Sequence, residues 1–142
     1  MTMRIQVLGC SGGMGGGRHT TSYLVDEDIL VDAGTGLTTL SRDAIRRIDH
    51  VFVTHGHMDH VLCLPLLLDS VAGERDRPVT VHALPEVIQV LKEHVFNWRL
   101  WPDFAVLPSR EAPFLRYEAL EVGAPVRSEE RRVGKECRSR WS

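Results

Sequence analysis

The chain has 142 residues, a length that suits one domain. Its residues are 43% hydrophobic, 25% charged and 6% aromatic, which excludes a fully disordered or fibrous chain. Because 17 lysines and arginines stand against 19 aspartates and glutamates, the formal charge is −2, and a generally basic surface for nucleic acid is not indicated. The apolar runs are too short to cross a bilayer.

The cysteines and the N-terminal residues indicate the cellular compartment that we expect for this protein. Cys10, Cys63 and Cys137 are widely spaced and form no CxxC pair, which fits neither a disulfide framework nor a structural zinc knuckle. The chain runs directly into a strand-like segment, without the basic and apolar regions of a signal peptide. We therefore expect a cytoplasmic protein with free thiols.

The hydrophobic pattern predicts a β-hairpin followed by strands that alternate with helices. Six of the nine residues over 9–17 are glycine, which is typical of a loop whose backbone adopts positive φ. This order predicts an α/β or α+β fold, a sheet with helices packed on it. In chain order, strands are expected at residues 4–8, 22–25, 29–31, 50–54, 79–83 and 114–119, and helices at 37–48, 61–71 and 85–95.

The last 15 residues differ in composition from the rest. Residues 128–142 carry five basic and three acidic side chains, whereas the first 127 residues carry 12 basic and 16 acidic ones. The run from Arg127 onward resembles sequence found at the broken ends of unrelated proteins. We therefore expect a domain over residues 1–127 and a disordered or non-native tail over 128–142.

Four metal-ligand side chains lie within six residues, directly after a predicted buried strand: His55, His57, Asp59 and His60. The first three alternate, so an extended backbone would place them on one side, and His60 would open the next helix. Four polar groups at the end of an apolar strand need partners, which makes ordinary packing a poor explanation. Imidazole and carboxylate donors suit Zn²⁺, with Mn²⁺ and Fe²⁺ as alternatives.

The run from Thr54 to His60 resembles the H-x-H-x-D-H signature of the metallo-β-lactamase fold. Two further segments agree with it in the family's order: residues 8–12 resemble its opening strand and glycine-rich loop, and residues 29–34 resemble its strand that ends in Asp-Ala-Gly. The resemblance implies the N-terminal part of an αββα sandwich with a two-metal site at the edge of its sheets.

The same resemblance implies a role for each candidate residue. His55 and His57 would bind the first ion, and Asp59 and His60 the second. Asp32 would hold the segment over residues 54–60, the metal loop, through hydrogen bonds. For Asp32, an ordinary turn residue at a strand end is the alternative. The other histidines and the thiol of Cys63 are expected to lie outside the metal site; these histidines are His19, His50, His82 and His94.

Residues 91–104 resemble a stretch of class II cyclic-nucleotide phosphodiesterases, in which a helix ends in His-x-Phe-Asn and Trp-Pro follows. Ordinary packing is the alternative for its aromatic residues Phe96, Trp98 and Trp101. We therefore expect a hydrolase that cleaves the phosphodiester of a small 3′,5′-cyclic nucleotide with a metal-activated hydroxide, which Asp59 orients. The substrate-binding residues are not identifiable from the sequence.

Other functions stay open at this point. RNA processing and thioester or lactam hydrolysis would keep the fold and change the substrate, and a non-catalytic metal-binding module would keep only the metal. A membrane partner is not expected, and homodimerisation is an open alternative. Because the sequence supplies two ligands for each ion and no histidine follows His94, we expect these 142 residues alone to be inactive.

Overall fold

The computed structural model describes residues 2–126, so Cys137 and the predicted tail over 128–142 lie outside the described residues. A single sheet forms the centre of this part of the chain, and short helices connect its strands. The strands are β1 (Ile5–Gly9), β2 (Ser22–Val25), β3 (Ile29–Val31), β4 (His50–Phe52), β5 (Val79–Ala83) and β6 (Leu115–Ala119). The α-helices are α1 (Arg42–Arg46), α2 (Met58–Val61), α3 (Leu64–Val71) and α4 (Pro85–His94), with 3₁₀ turns at Thr35–Thr39 and Ala72–Glu74.

The six strands lie side by side in chain order, from β1 to β6. The pairs β1–β2 and β2–β3 are antiparallel, and the later pairs are parallel. Each predicted strand is present, with bounds that differ by at most two residues at either end. The sheet is therefore a mixed one: a hairpin meander at one end and helix-connected parallel strands at the other, as the sequence pattern predicts.

One face of the sheet forms the hydrophobic core with the helices. Leu30, Val51 and Val81 are register partners on neighbouring strands, and each is fully buried. Leu64 of α3 and Leu91 of α4 are also fully buried and belong to the same cluster. Because side chains alternate along a strand, this row defines the face that the helices cover. Among residues 2–126, no helix is long and apolar enough to span a membrane.

The predicted single helix over 37–48 is wrong. The chain instead forms a 3₁₀ turn at Thr35–Thr39 and the short helix α1, because Leu40 and Ser41 adopt extended conformations between them. The Ser41 hydroxyl accepts a hydrogen bond from the Ala44 backbone N–H and so caps α1. Apolar residues three and four apart fit both kinds of helix, which is why the pattern alone suggested one continuous helix.

The predicted helix over 61–71 is also divided. It consists of α2, which begins at Met58, and α3, which begins at Leu64. The Cys63 backbone N–H donates to the Ala33 carbonyl at 2.9 Å, so it does not take part in the hydrogen bonds of a continuous helix. Pro65 then has no backbone N–H and suits the first turn of a new helix. The break ties the start of α3 to the segment that follows β3.

Candidate metal centre

The candidate site lies where β3 and β4 end. These strands are parallel, so their carboxyl ends meet at one edge of the sheet. The end of β3 leads to Asp32, and the end of β4 leads to Thr54 and the histidine-rich segment. The Ala33 backbone N–H donates to the His60 carbonyl at 2.8 Å, which joins the two segments directly. The topology therefore brings together two parts of the sequence that are more than 20 residues apart.

Asp32 holds the metal loop through its carboxylate. Its side chain is almost completely buried, and its backbone has a φ of 62°, a left-handed conformation that aspartate tolerates better than most residues. One carboxylate oxygen accepts the Thr54 backbone N–H at 2.8 Å. The other oxygen accepts the Thr54 hydroxyl at 2.8 Å and His60 Nδ1 at 2.7 Å. These hydrogen bonds attach Asp32 to the segment that follows β4, and its role beside a metal ion stays a prediction.

These hydrogen bonds determine which nitrogen of His60 and His55 carries the proton. A carboxylate only accepts, so His60 must donate from Nδ1 to Asp32. The Thr54 hydroxyl gives its proton to Asp32, so at 3.0 Å it must accept from His55 Nδ1. In the neutral rings, Nε2 of both histidines is left with a free lone pair, which is the form that binds a metal ion.

Asp59 and His60 present two donor atoms close together. Asp59 Oδ2 lies 3.4 Å from His60 Nε2, the nitrogen whose lone pair is free. Two ligands of a tetrahedral zinc ion, with bonds of about 2.0–2.1 Å, are about 3.3 Å apart. The spacing of this pair therefore fits the coordination of one ion, although both side chains come from the same short helix.

The imidazole ring of His55 lies close to the rings of His57 and His60. The centroid of its ring is 4.7 Å from that of His57 and 4.1 Å from that of His60. Burial, and then the neighbouring rings of His60 and His57, lower the pKa of His55. Burial and the two neighbouring rings thus favour the neutral form of His55, because a proton on this ring would be poorly hydrated.

The four residues do not form a complete metal site by themselves. Among the described residues, no group of three or more histidine, cysteine, aspartate or glutamate side chains is arranged to hold an ion alone. The donor types and the Asp59–His60 spacing fit a divalent ion, but the set is short of the three protein ligands that a catalytic zinc ion usually has. The metal-ligand roles of His55, His57, Asp59 and His60 remain predictions.

The predicted backbone of this segment is partly wrong. An extended run through Asp59 was expected, whereas α2 begins at Met58, so Asp59 and His60 are both helical. Gly56, between the first two histidines, does not adopt positive φ. A Cβ atom at Gly56 would lie 3.2 Å from Val90 Cγ1, so its small size serves the packing of α4 against the loop.

Sequence reasoning assigned no role to Thr54 or to the glycines after Asp32. Thr54 links His55 to Asp32, and its position directly before the first histidine was the available signal. A Cβ atom at Gly34 would lie 2.5 Å from the Asp59 carbonyl oxygen and 2.3 Å from Thr20 Oγ1. Gly34 is therefore required for the close contact between the Asp-Ala-Gly segment and the metal loop, a contact between distant residues that the sequence pattern does not reveal.

Three of the remaining candidates, Cys63, His50 and His82, have partners or surroundings other than the four ligand residues. Cys63 is buried, and burial raises the pKa of its thiol, as expected of a packing residue. His50 and His82 form a separate pair on β4 and β5, with Nδ1 and Nε2 3.0 Å apart. In the aromatic segment, Phe96 is buried in the core, whereas Trp98 is 61% exposed, so core packing explains the first of these residues and not the second.

Over residues 36–123, which include all four ligand candidates, the sequence matches the class-II cAMP phosphodiesterase family. This chain belongs to the class-II cAMP phosphodiesterase family. The resemblance of residues 91–104 to these enzymes is thereby confirmed. Among curated relatives, a probable 3′,5′-cyclic-nucleotide phosphodiesterase of Yersinia pestis is 30% identical over 128 residues, which cover 70% of this chain and 36% of that protein.

The class-II family member shares the metallo-β-lactamase fold with solved structures. Unliganded yeast PDE1 superposes with a TM-score of 0.72 at 20% identity, covering 86% of this chain and 51% of that one. The metallo-β-lactamase-fold protein YhfI of Bacillus subtilis gives a TM-score of 0.62 at 18% identity, covering 89% and 50%. The predicted fold class is therefore confirmed, and the chain spans about a third of its curated relatives and half of these structures.

Ribonuclease Z proteins are also similar to this class-II family member. The enzyme of Bradyrhizobium sp. (strain ORS 278) is 36% identical over 101 residues, which cover 68% of this chain and 33% of that protein. The relatives are therefore hydrolases of two kinds, named for a cyclic nucleotide or for RNA. The family match therefore identifies the family of this chain, whereas its relatives are named for different substrates.

Proposed function

We propose that this chain carries half of the catalytic centre of a metal-dependent phosphodiesterase that hydrolyses 3′,5′-cyclic nucleotides. The observation that carries the proposal is the arrangement at the carboxyl edge of the sheet, where Asp32 orients His60 and Asp59 lies 3.4 Å from its free nitrogen. Membership of the class-II family supports the cyclic nucleotide as substrate. The experiment is hydrolysis of 3′,5′-cyclic AMP by the purified full-length product of the gene: release of AMP supports the proposal, and no release from the metal-loaded protein overturns it.

Divalent ions, zinc in the first instance, are proposed as cofactors. His55 and His57 would hold one ion, and Asp59 and His60 the other; a Zn²⁺-bound protein with a TM-score of 0.58 to this chain supports the choice of metal. Bound there, two such ions would supply Lewis acidity and a water that is deprotonated near neutral pH. Manganese and iron(II) would suit the same donor types.

The protein side chains would orient the reacting groups. Asp59 is 35% exposed, so its carboxylate can also accept a hydrogen bond from a water molecule at the mouth of the site. This bond would direct the oxygen lone pair toward phosphorus, in line with the ester oxygen that leaves. A P–O bond then forms from water, a P–O ester bond breaks, and the ester oxygen that leaves takes up the proton that the water releases, so the product is a nucleoside monophosphate.

A conservative variant tests the orienting role of Asp59. Asp59→Asn keeps an oxygen that can bind metal but loses the charge that orients the water. In the full-length product of the gene, we expect turnover of cyclic AMP to fall at least about 100-fold, while the metal content per chain falls by a smaller factor. Equal losses of metal and turnover would contradict the orienting role and leave Asp59 as a ligand only. Asp69→Asn, an exposed aspartate on α3, is the matched control.

We also propose that these 142 residues alone hold metal too weakly for turnover. The described residues form no complete group of three ligands, so each ion would lack at least one protein ligand. Elemental analysis of the 142-residue chain, beside the full-length product of its gene, decides this. Near-zero metal in the chain supports the proposal, and about two equivalents would overturn it.

RNA is the second candidate substrate, because ribonuclease Z relatives match the same chain at 36% identity. The formal charge of −2 weighs against it, since RNA binding depends strongly on positive charge. Competition distinguishes the two: a precursor tRNA that is cleaved in preference to cyclic AMP would establish RNA processing and overturn the cyclic-nucleotide assignment.

A further inference from the structure

The glycine-rich loop over residues 10–19 lies at the same edge of the sheet as the candidate metal centre. Both β1 and β3 pair antiparallel with β2, so β1 and β3 run in the same direction. The carboxyl end of β1, at Gly9, therefore meets the carboxyl end of β3, which leads to Asp32. The loop begins at that end, next to the segment that holds the metal loop.

The base of the loop is fixed to this edge. Thr20 and Thr35 exchange two hydrogen bonds of 2.7 Å, in which each hydroxyl accepts the backbone N–H of the other residue. The Gly34 backbone N–H donates to the Thr21 carbonyl at 2.9 Å. The Cβ position of Gly34 lies within 2.5 Å of both Thr20 Oγ1 and the Asp59 carbonyl oxygen, so Thr20 and Asp59 are near neighbours.

The tip of the loop is a tight turn with space around it. Gly15 and Arg18 exchange backbone hydrogen bonds of 3.2 and 3.0 Å. Gly16 and Gly17 between them have φ values of 61° and 83°, which is the pattern of a two-residue hairpin turn that requires glycine. A Cβ atom at any of these three glycines would meet nothing within 4 Å. The tip therefore projects into open space from a fixed base.

Arg18 is the cationic residue of this loop. It is exposed, and within residues 2–126 it forms no ion pair with a carboxylate. It lies two residues before Thr20, so on an extended backbone both side chains lie on the same side of the strand, about 6–7 Å apart. Thr20 lies against Gly34 and the backbone of Asp59, so an arginine side chain at position 18 is within reach of a ligand above the metal loop.

We propose that Arg18 binds the anionic phosphate of the substrate and that the loop over 10–19 forms one wall of the substrate site. The inference rests on the proposed function, since it takes the phosphodiester as given. A phosphodiester carries one negative charge on two oxygens, and the guanidinium presents two parallel N–H donors that match them. The free glycine tip lets this cation approach substrates of different size, while the fixed base keeps it at the edge of the site.

Binding by Arg18→Gln tests the proposal, because glutamine keeps most of the length and removes the charge. The probes are 3′,5′-cyclic AMP and uncharged adenosine with the metal-loaded full-length product of the gene; the first is followed by its KM and the second by its inhibition constant as a competitor of turnover. We expect Arg18→Gln to weaken the binding of cyclic AMP about tenfold and the binding of adenosine by less than twofold. Arg4→Gln is the matched control, since Arg4 precedes β1 and so lies at the opposite edge of the sheet. It is expected to bind both probes as the wild type does.

The outcomes separate this inference from the proposed function. Arg18 does not recognise the phosphate if Arg18→Gln binds cyclic AMP as well as the wild type does. The same conclusion follows if the variant loses affinity for adenosine and for cyclic AMP by equal factors. If the wild type binds no cyclic AMP, the substrate assignment fails, and bis(p-nitrophenyl) phosphate replaces it as a general phosphodiester probe. A selective loss of that probe in Arg18→Gln would still support the role of Arg18, and an unchanged affinity would overturn it.

Discussion

At the scale of single residues, the site depends on a chain of hydrogen bonds that starts at one buried carboxylate. Asp32 accepts from Thr54 and His60, and Thr54 accepts from His55. Each bond assigns a proton to Nδ1 and leaves Nε2 free, so one aspartate prepares two histidines at once. The Thr54 hydroxyl is the link through which this effect reaches the first of the two histidine rings.

Removal of the Thr54 hydroxyl should therefore weaken metal binding without removing a ligand. Thr54→Val keeps the shape of the side chain, but His55 Nδ1 loses its acceptor and Asp32 loses a donor. We expect zinc affinity, measured by competition with a chromophoric chelator, to fall about tenfold, in the range seen for residues that orient ligands. Thr54→Ser restores the hydroxyl and should bind zinc as the wild type does. Wild-type affinity in Thr54→Val would show that the ring of His55 is oriented by other contacts.

At the scale of elements, the close contact between the β3–α1 connection and the metal loop positions the two halves of the site. Gly34→Ala would place a methyl group 2.3 Å from Thr20 Oγ1 and 2.5 Å from the Asp59 carbonyl oxygen, so the backbone must shift. We expect a loss of about 2–4 kcal/mol in the free energy of unfolding, measured with urea. Gly12→Ala is the control, since its Cβ meets nothing within 4 Å and its φ is not positive. Equal stability of the two variants would contradict the contact.

The pairing of β4 with β5 makes the stability of the fold dependent on pH. His82 is 6% exposed, its ring stacks on Phe52 with a centroid distance of 4.3 Å, and its Nε2 lies 3.0 Å from His50 Nδ1. Its register partner on β6 is the exposed carboxylate Glu118. Burial, and then the charge of His50, lower the pKa of His82 from 6.5 to about 4.

Between these two pKa values, the unfolded chain binds a proton at His82 that the folded chain does not. Stability is therefore full above about pH 6.5 and falls as the pH drops toward 4, by up to about 3 kcal/mol. His82→Phe should lose this part of the pH dependence, measured by urea unfolding at pH 7 and pH 4.5. The exposed His94→Gln should keep it. The same slope in His82→Phe and the wild type would assign the effect to other histidines.

Strands were predicted more accurately than helices, for a physical reason. Val79–Ala83 and Ser22–Val25 match their predicted bounds because alternation and β-branched side chains determine both their face and their length. The helices were divided by features that periodicity does not carry. The cap at Ser41 and the Cys63–Ala33 hydrogen bond act on the backbone, and the second depends on a residue 30 positions away.

The candidate site shows the same limit. The four ligand types and Asp32 could be proposed from the sequence, because their chemistry is local and their order resembles a known family. The roles of Thr54 and Gly34 could not, since each depends on which strands become neighbours. Their contacts join residues 54 and 32, and residues 34 and 59, and these pairs meet only because β3 and β4 are parallel.

At the scale of the whole molecule, the two faces of the sheet have different surroundings. Leu30 and Val51 on one face are fully buried under the helices, whereas Ile5 and Val7 on the other face are 57% and 58% exposed. Both lie on β1, which is an edge strand of the sheet. Exposed β-branched side chains on an edge strand favour pairing with another chain.

We therefore expect the isolated 142-residue chain to self-associate through the open face at β1. Val7→Lys places a charge on this face, where Tyr23 of β2 is the register partner of residue 7. Sedimentation velocity should show association at least about tenfold weaker than in the wild type, because a buried valine contributes about 1.5 kcal/mol or more. Leu66→Lys, a similarly exposed position on α3, is the matched control and should associate as the wild type does. A monomeric wild-type chain, or equal association of the two variants, would show that the open face does not drive contact between chains.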